Sequence, residues 1–211
     1  MSKENKPIKY QFLLFGTSGV GKTHFLNKLC DTKDNIPLIF LYDDETFKLK
    51  LEIEKQNFEI TFIDTNGNRI SHFQSLFGKK KIDAIIFMHD GTKENFDYSL
   101  IYLKQIINLY KRNIRMRNIK LFFFITKINK ESVSNNKTEK VFDFCKENGI
   151  MNPIRIDSEI MDSQYLKYIV SYLTMDIYNS QRSKENNTID LHIGIDTKET
   201  KCCKSGKCHI F

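Results

Sequence analysis

The sequence predicts an α/β fold built on a mainly parallel sheet, and three observations carry that prediction. Strand-like and helix-like segments alternate along the chain. "KYQFLLF" (9–15), "AIIFMHD" (84–90) and "IKLFFFITK" (119–127) are unbroken or nearly unbroken apolar runs, as in strands covered on both faces. "FKLKLEIEKQNFEITFID" (47–64) instead alternates: Phe47, Leu49, Leu51, Ile53, a polar turn, then Phe58, Ile60, Phe62. That pattern predicts an antiparallel hairpin with one buried face.

The elements follow in order. The first strand, 9–15, stops at a glycine-rich loop, and a helical pattern covers about 22–30. After the hairpin and the strand at 84–90, Phe96, Leu100, Leu103, Ile107 and Tyr110 recur at helical spacing, predicting a helix from about Asn95 to Tyr110. The strand at 119–127, a helix at 138–148, a last strand in "NPIRI" (152–156) and a helix at 162–179 complete the series. Beyond about residue 180 periodicity is lost and the composition turns polar, which predicts a flexible tail. The expected organisation is a short N-terminal tail (1–6), one domain (7–180) and a C-terminal tail (181–211). No internal repeat is evident.

At 211 residues and 40% hydrophobic content, the chain suffices for one well-cored domain plus a tail. The net charge of +7 is gathered in "GKKK" (78–81), "YKRNIRMRNIK" (110–120) and the end of the chain. Clusters confined to one helix end and the tail argue against a nucleic-acid partner and fit a solvated face or an acidic membrane surface. "MSKENKPIKYQ" is too polar for a secretory signal, and the apolar runs are too short to span a bilayer. Cys30 and Cys145 sit alone in apolar helical contexts, while Cys202, Cys203 and Cys208 crowd the end. This is no disulfide framework and suits a reducing compartment.

"GTSGVGKT" fits G-x-x-x-x-G-K-[ST], with Gly16, Gly21, Lys22 and Thr23 in place between a strand and a helix. Glycines at such a turn let backbone N–H groups converge on phosphate oxygens, and the helix N-terminus adds unsatisfied donors. Gly16, Ser18, Gly19, Val20, Gly21, Lys22, Thr23 and His24 form the predicted phosphate cradle. Lys22 reaches the β- and γ-phosphates, and the Thr23 hydroxyl ligates Mg²⁺. The hairpin's second strand ends "FIDTNGN", where Asp64 can hold Mg²⁺ through water and Gly67 can offer its N–H to a γ-phosphate.

"GTSGVGKT", "DTNG", "IIFMHDGTKENF" and "TKIN" stand in the order and near the spacing of the Ras superfamily of small GTPases. Over about residues 8–175 the chain most resembles the Rab branch. The resemblance implies a P-loop G domain: a six-stranded, mostly parallel sheet flanked by about five helices, binding GTP or GDP with Mg²⁺. It implies a monomeric switch on the cytoplasmic face of an intracellular membrane, cycling with the cytosol in vesicle traffic. Effectors, an exchange factor, a GTPase-activating protein and a prenyltransferase would be its partners.

Four departures from the family pattern bear on function. Asn68 stands where the family has the glutamine that orients the attacking water; its stem is one methylene shorter, which predicts slow hydrolysis. The guanine-reading N-K-x-D is Thr126, Lys127, Ile128 and Asn129. An amide at Asn129 offers guanine one acceptor and one donor, and a mispaired buried group costs about 1–3 kcal/mol. The threonine that closes on Mg²⁺ and the γ-phosphate is expected near position 41, where "FLYDDETF" offers only Thr46. The region after Gly67 lacks the Rab aromatic pair. The last guanine loop, S-A-K in the family, falls on Ser158 and Glu159.

The chain ends "CHIF", a C-a-a-X pattern on Cys208 whose final Phe favours geranylgeranylation. Cys202, Cys203 and the lysines at 198, 201, 204 and 207 offer the second signal stable anchoring needs. A zinc site built from these cysteines and His209 fits ligand spacing poorly. Alternatives to the Rab-like switch are a non-hydrolysing nucleotide-binding scaffold, a Ras- or Rho-like signalling GTPase, and a P-loop enzyme of another kind such as a small kinase. The last would need a lid and a second substrate site, and the sequence shows neither.

Overall fold

The structure, a computed structural model, describes residues 6–30, 45–65, 81–91, 96–112, 118–127, 135–150, 153–156 and 161–202. Six strands form one sheet: β1 (Ile8–Phe15), β2 (Glu45–Ile53), β3 (Gln56–Asp64), β4 (Ala84–Asp90), β5 (Lys120–Thr126) and β6 (Ile154–Ile156). Their order is β2-β3-β1-β4-β5-β6. Every pair is parallel except the β2–β3 hairpin. Four helices lie among the described residues: α1 (Lys22–Cys30), α2 (Phe96–Arg112), α3 (Asn135–Glu147) and α4 (Ser163–Cys202). The α/β class, the hairpin and the mostly parallel sheet therefore stand as the apolar patterns predict.

Strand burial explains those patterns. Every residue of β4 is buried, and so are the last five of β5, because helices cover both faces of the sheet centre. On one face Leu13, Phe15, Ile63, Ile85, Phe87, Phe123 and Ile125 meet Leu103, Ile106 and Ile107 of α2 and Val141 and Cys145 of α3. On the other, Phe25 of α1 packs edge-on to Phe124 at 5.8 Å, beside an edge-on Phe12–Phe62 pair at 5.5 Å. The start of α4 is tied to the end of α1 by the Ser163 hydroxyl, which donates to the Leu29 carbonyl at 3.3 Å. Asp162 caps α4 by accepting from the Tyr165 N–H at 2.7 Å.

Two features differ from expectation. The hairpin begins at Glu45, so Thr46 is a ladder residue opposite Ile63 rather than part of the preceding loop. The turn is only Glu54-Lys55, with both residues at positive φ, 52° and 64°. Second, α4 continues past residue 180 to Cys202, where the sequence pattern predicts a flexible tail. Apolar periodicity reports a buried face, and a helix already nucleated propagates without one. By compactness the chain divides into Met1–Ser171 and Tyr172–Phe211. Within the second unit the Arg182 guanidinium lies 5.5 Å above the Tyr178 ring.

Candidate functional site

Strand order places the site before any side chain is considered. β1 lies between β3 and β4, so the chain leaves β1 toward one edge and later returns to its other side. Such a reversal opens a crevice at the carboxyl ends of the parallel strands. The segments ending β1, β3, β4 and β5 converge there, and they carry Gly16–Gly21, Asp64-Thr65, Asp90-Gly91 and Thr126-Lys127.

Glycine suits three positions of the loop after β1. A Cβ on Gly16 would drive into the Met88 carbonyl oxygen of β4, closer than side-chain carbons approach backbone. Gly19 and Gly21 take φ of 75° and 100°, a region that side chains disfavour. With the loop so shaped, α1 starts at Lys22, and the Phe25 N–H bonds the Gly21 carbonyl at 2.9 Å.

Lys22 is buried, and its Nζ folds back to donate to the Gly16 carbonyl at 3.0 Å and the Thr17 carbonyl at 3.2 Å. Burial lowers its pKa, while the nearby Asp64 carboxylate works in the opposite direction. An ammonium held by carbonyls at the start of α1 is poised for an anion, whose charge would restore its proton affinity. Beside it the Thr23 hydroxyl donates to Asp64 Oδ2 across the gap between α1 and β3. The hydroxyl and carboxylate are hard oxygen donors, the ligand chemistry Mg²⁺ prefers, so this pair fits that ion. Asp64 is buried, and the next residue, Thr65, is fixed by donating to the Leu14 carbonyl of β1 at 2.7 Å.

The base-side loop is fastened to the phosphate loop by two side chains. Thr126 Oγ1 lies 2.8 Å from the Val20 carbonyl and 3.1 Å from that of His89. Its single proton serves the shorter contact better. Lys127 Nζ donates to the Gly19 carbonyl at 2.6 Å and to Asp90 Oδ2 at 3.1 Å. Lys127 itself sits at φ 54°.

The structure thus brings together Gly16, Gly19, Val20, Gly21, Lys22, Thr23, Asp64, Thr126 and Lys127. Ser18 and His24 are exposed at the loop and the first turn of α1. Thr46 is not gathered in: cross-strand partners share a sheet face and neighbours alternate, so pairing with Ile63 puts Thr46 on the face opposite Asp64. Gly67, Asn68, Asn129, Ser158, Glu159 and Cys208 lie outside the described residues. Among the described residues no cluster of three or more metal-ligating side chains occurs. Asp90 and Thr65 stand within "IIFMHDGTKENF" and "DTNG", but the sequence assigns neither a role. The available signal for Asp90 was a carboxylate closing a wholly buried, mainly apolar strand next to a neighbour strand that runs into lysine.

No individually curated protein matches the chain. Residues 11–127, from β1 to the end of the Thr126-Lys127 segment, match the family described as 50S ribosome-binding GTPase. The matched span covers more than half of the chain and contains every residue that the geometry gathers in the crevice. With a P-loop G-domain sheet, a phosphate cradle and that match in agreement, the chain belongs to the 50S ribosome-binding GTPase family of GTP-binding domains.

Proposed function

We propose that the protein is a Mg²⁺-dependent GTP switch with slow intrinsic hydrolysis. The observation that carries this reading is the Lys22–Thr23–Asp64 grouping, with its loop pinned from behind by Thr126 and Lys127. Lys22 and the loop N–H groups would bind the polyphosphate. Thr23 and Asp64 would hold Mg²⁺, which supplies charge neutralisation of the phosphates when bound. Asn68 would align water less well than a glutamine, and Asn129 would weaken the choice of guanine. Single-turnover hydrolysis of GTP by the full chain tests this. The reading expects Asn68→Gln to raise the rate and Asn68→Ala to lower it; a fast wild-type rate unchanged by either refutes it.

The finer reading is a Rab-like switch held at a membrane. "DTNG", "TKIN" and the "CHIF" end support it. No helix among the described residues is long and apolar enough to cross a membrane. In this reading attachment would run through a lipid on Cys208. The family match favours a second reading, a GTPase whose partner is the 50S ribosome. Fractionation separates the two. Sedimentation with membranes that is lost in Cys208→Ser supports the first, and GTP-dependent sedimentation with large ribosomal subunits supports the second.

A further inference from the structure

We propose that Asp90 is a positioning residue for nucleotide retention, acting through Lys127 on the phosphate loop. The inference rests on the nucleotide-binding reading above and assigns a role to a residue that the reading leaves without one. Asp90 closes β4 with its side chain only 3% exposed, whereas the Lys127 side chain is 43% exposed. A half-exposed lysine normally samples many rotamers, and holding it still costs side-chain entropy. Here two charge-assisted bonds hold it: Asp90 Oδ2 at 3.1 Å and the Gly19 carbonyl at 2.6 Å.

The Gly19 contact is the one that matters for a ligand. Gly19 sits at an exposed point of the phosphate loop at φ 75°, with open space where a Cβ would go. The Lys127 bond to its carbonyl restrains that peptide. Lys127 reaches it from the end of β5, with its own backbone at φ 54°, a conformation that survives only where surroundings enforce it. The β4–β5 register sets Asp90 opposite Thr126, the residue before Lys127. Closing the same ladder, the Gly91 N–H bonds the Thr126 carbonyl at 2.8 Å. Asp90 is therefore fixed in the sheet, Lys127 is fixed by Asp90, and Gly19 is fixed by Lys127. Thr126 pins the next loop residue, Val20, so the loop's back is held at two adjacent carbonyls from one strand end. Loss of the Asp90 charge frees the lysine and slackens that grip without touching the residues that would contact phosphate.

The test is GDP dissociation from the full chain, followed with a fluorescent GDP chased by unlabelled GDP. Asp90→Asn, nearly isosteric, is expected to speed dissociation about tenfold. Asp90→Glu is expected to recover part of that loss. Lys127→Gln, made from the exposed end of the pair, should speed dissociation at least as much. Adding Asp90→Asn to Lys127→Gln should change little further, because both remove one linkage. Dissociation unchanged in Lys127→Gln, or effects that multiply in the double variant, overturns the proposal. If Asp90→Asn fails to fold, Asp90→Ser, which also removes the carboxylate, takes its place, and dissociation unchanged in that variant overturns the proposal. Wild-type protein that binds no GDP overturns both this inference and the reading beneath it, whereas tight wild-type binding with insensitive variants overturns this one alone.

Discussion

Replacing Thr126 by Val removes one hydroxyl and little else. Val keeps the β-branched shape of Thr and its strand preference, so β5 should survive. Thr126 is 2% exposed, and its hydroxyl is within hydrogen-bond reach of two carbonyls, Val20 at 2.8 Å and His89 at 3.1 Å. Taking away a buried donor leaves its acceptor without that partner and costs about 1–3 kcal/mol. For a domain of this size each kcal/mol moves Tm by about 2–4 °C. The expected fall is therefore about 2–12 °C in a thermal melt of the nucleotide-free protein. Nucleotide should widen the gap between variant and wild type, since the freed Val20 peptide belongs to the phosphate loop. Thr126→Ser keeps the hydroxyl and should lie nearer wild type. A Val variant melting within about 1 °C of wild type, with or without GDP, would show that the strand-end tether to the loop contributes nothing.

Three further outcomes are expected. The Glu54-Lys55 turn places two side-chain-bearing residues at positive φ, so Glu54→Asn with Lys55→Gly should stabilise the hairpin by about 1 kcal/mol in urea melts. Gly16→Ala would thrust a Cβ against the Met88 carbonyl and force β1 and β4 apart at the loop; GDP affinity should drop about tenfold or more, read by titration. Burial pushes the Cys145 thiol from 9.0 up to about 12, so the stability it lends is complete below pH 9.0 and is lost as pH climbs toward 12. Guanidinium melts of wild type on either side of pH 9.0 should show that loss, and Cys145→Ala should show a shallower alkaline slope.

What the sequence made legible was whatever depends on local order. The phosphate loop is a contiguous string of residues, and its glycines, lysine and threonine each answer a local geometric demand. Asp64 could be read because it ends an alternating strand whose register is visible in Phe58, Ile60 and Phe62. The fully buried strands announced themselves as apolar runs because helices cover both faces. What stayed hidden depends on residues far apart in the chain. The loop pattern picks out Gly16, but the contact that excludes a side chain there, with the Met88 carbonyl, is visible around neither residue. Thr126 reads as part of a base-recognition motif, yet its hydroxyl serves Val20, 106 positions earlier. The Lys127 bond to Asp90 spans a strand pair whose neighbourhood emerges only from the sheet order. Thr46 shows the converse. Its residue type suits a switch threonine, but strand pairing turns it to the other face of the sheet.

The central claim is that this crevice holds a guanine nucleotide through Lys22, Thr23 and Asp64. Calorimetric titration of the full chain with GDP and with ADP, each in Mg²⁺ and again in EDTA, tests it most directly. The account predicts GDP binding that weakens in EDTA, weakens again in Asp64→Ala, and exceeds ADP binding. Equal or tighter binding of ADP, or GDP binding indifferent to both Mg²⁺ and Asp64, would contradict it.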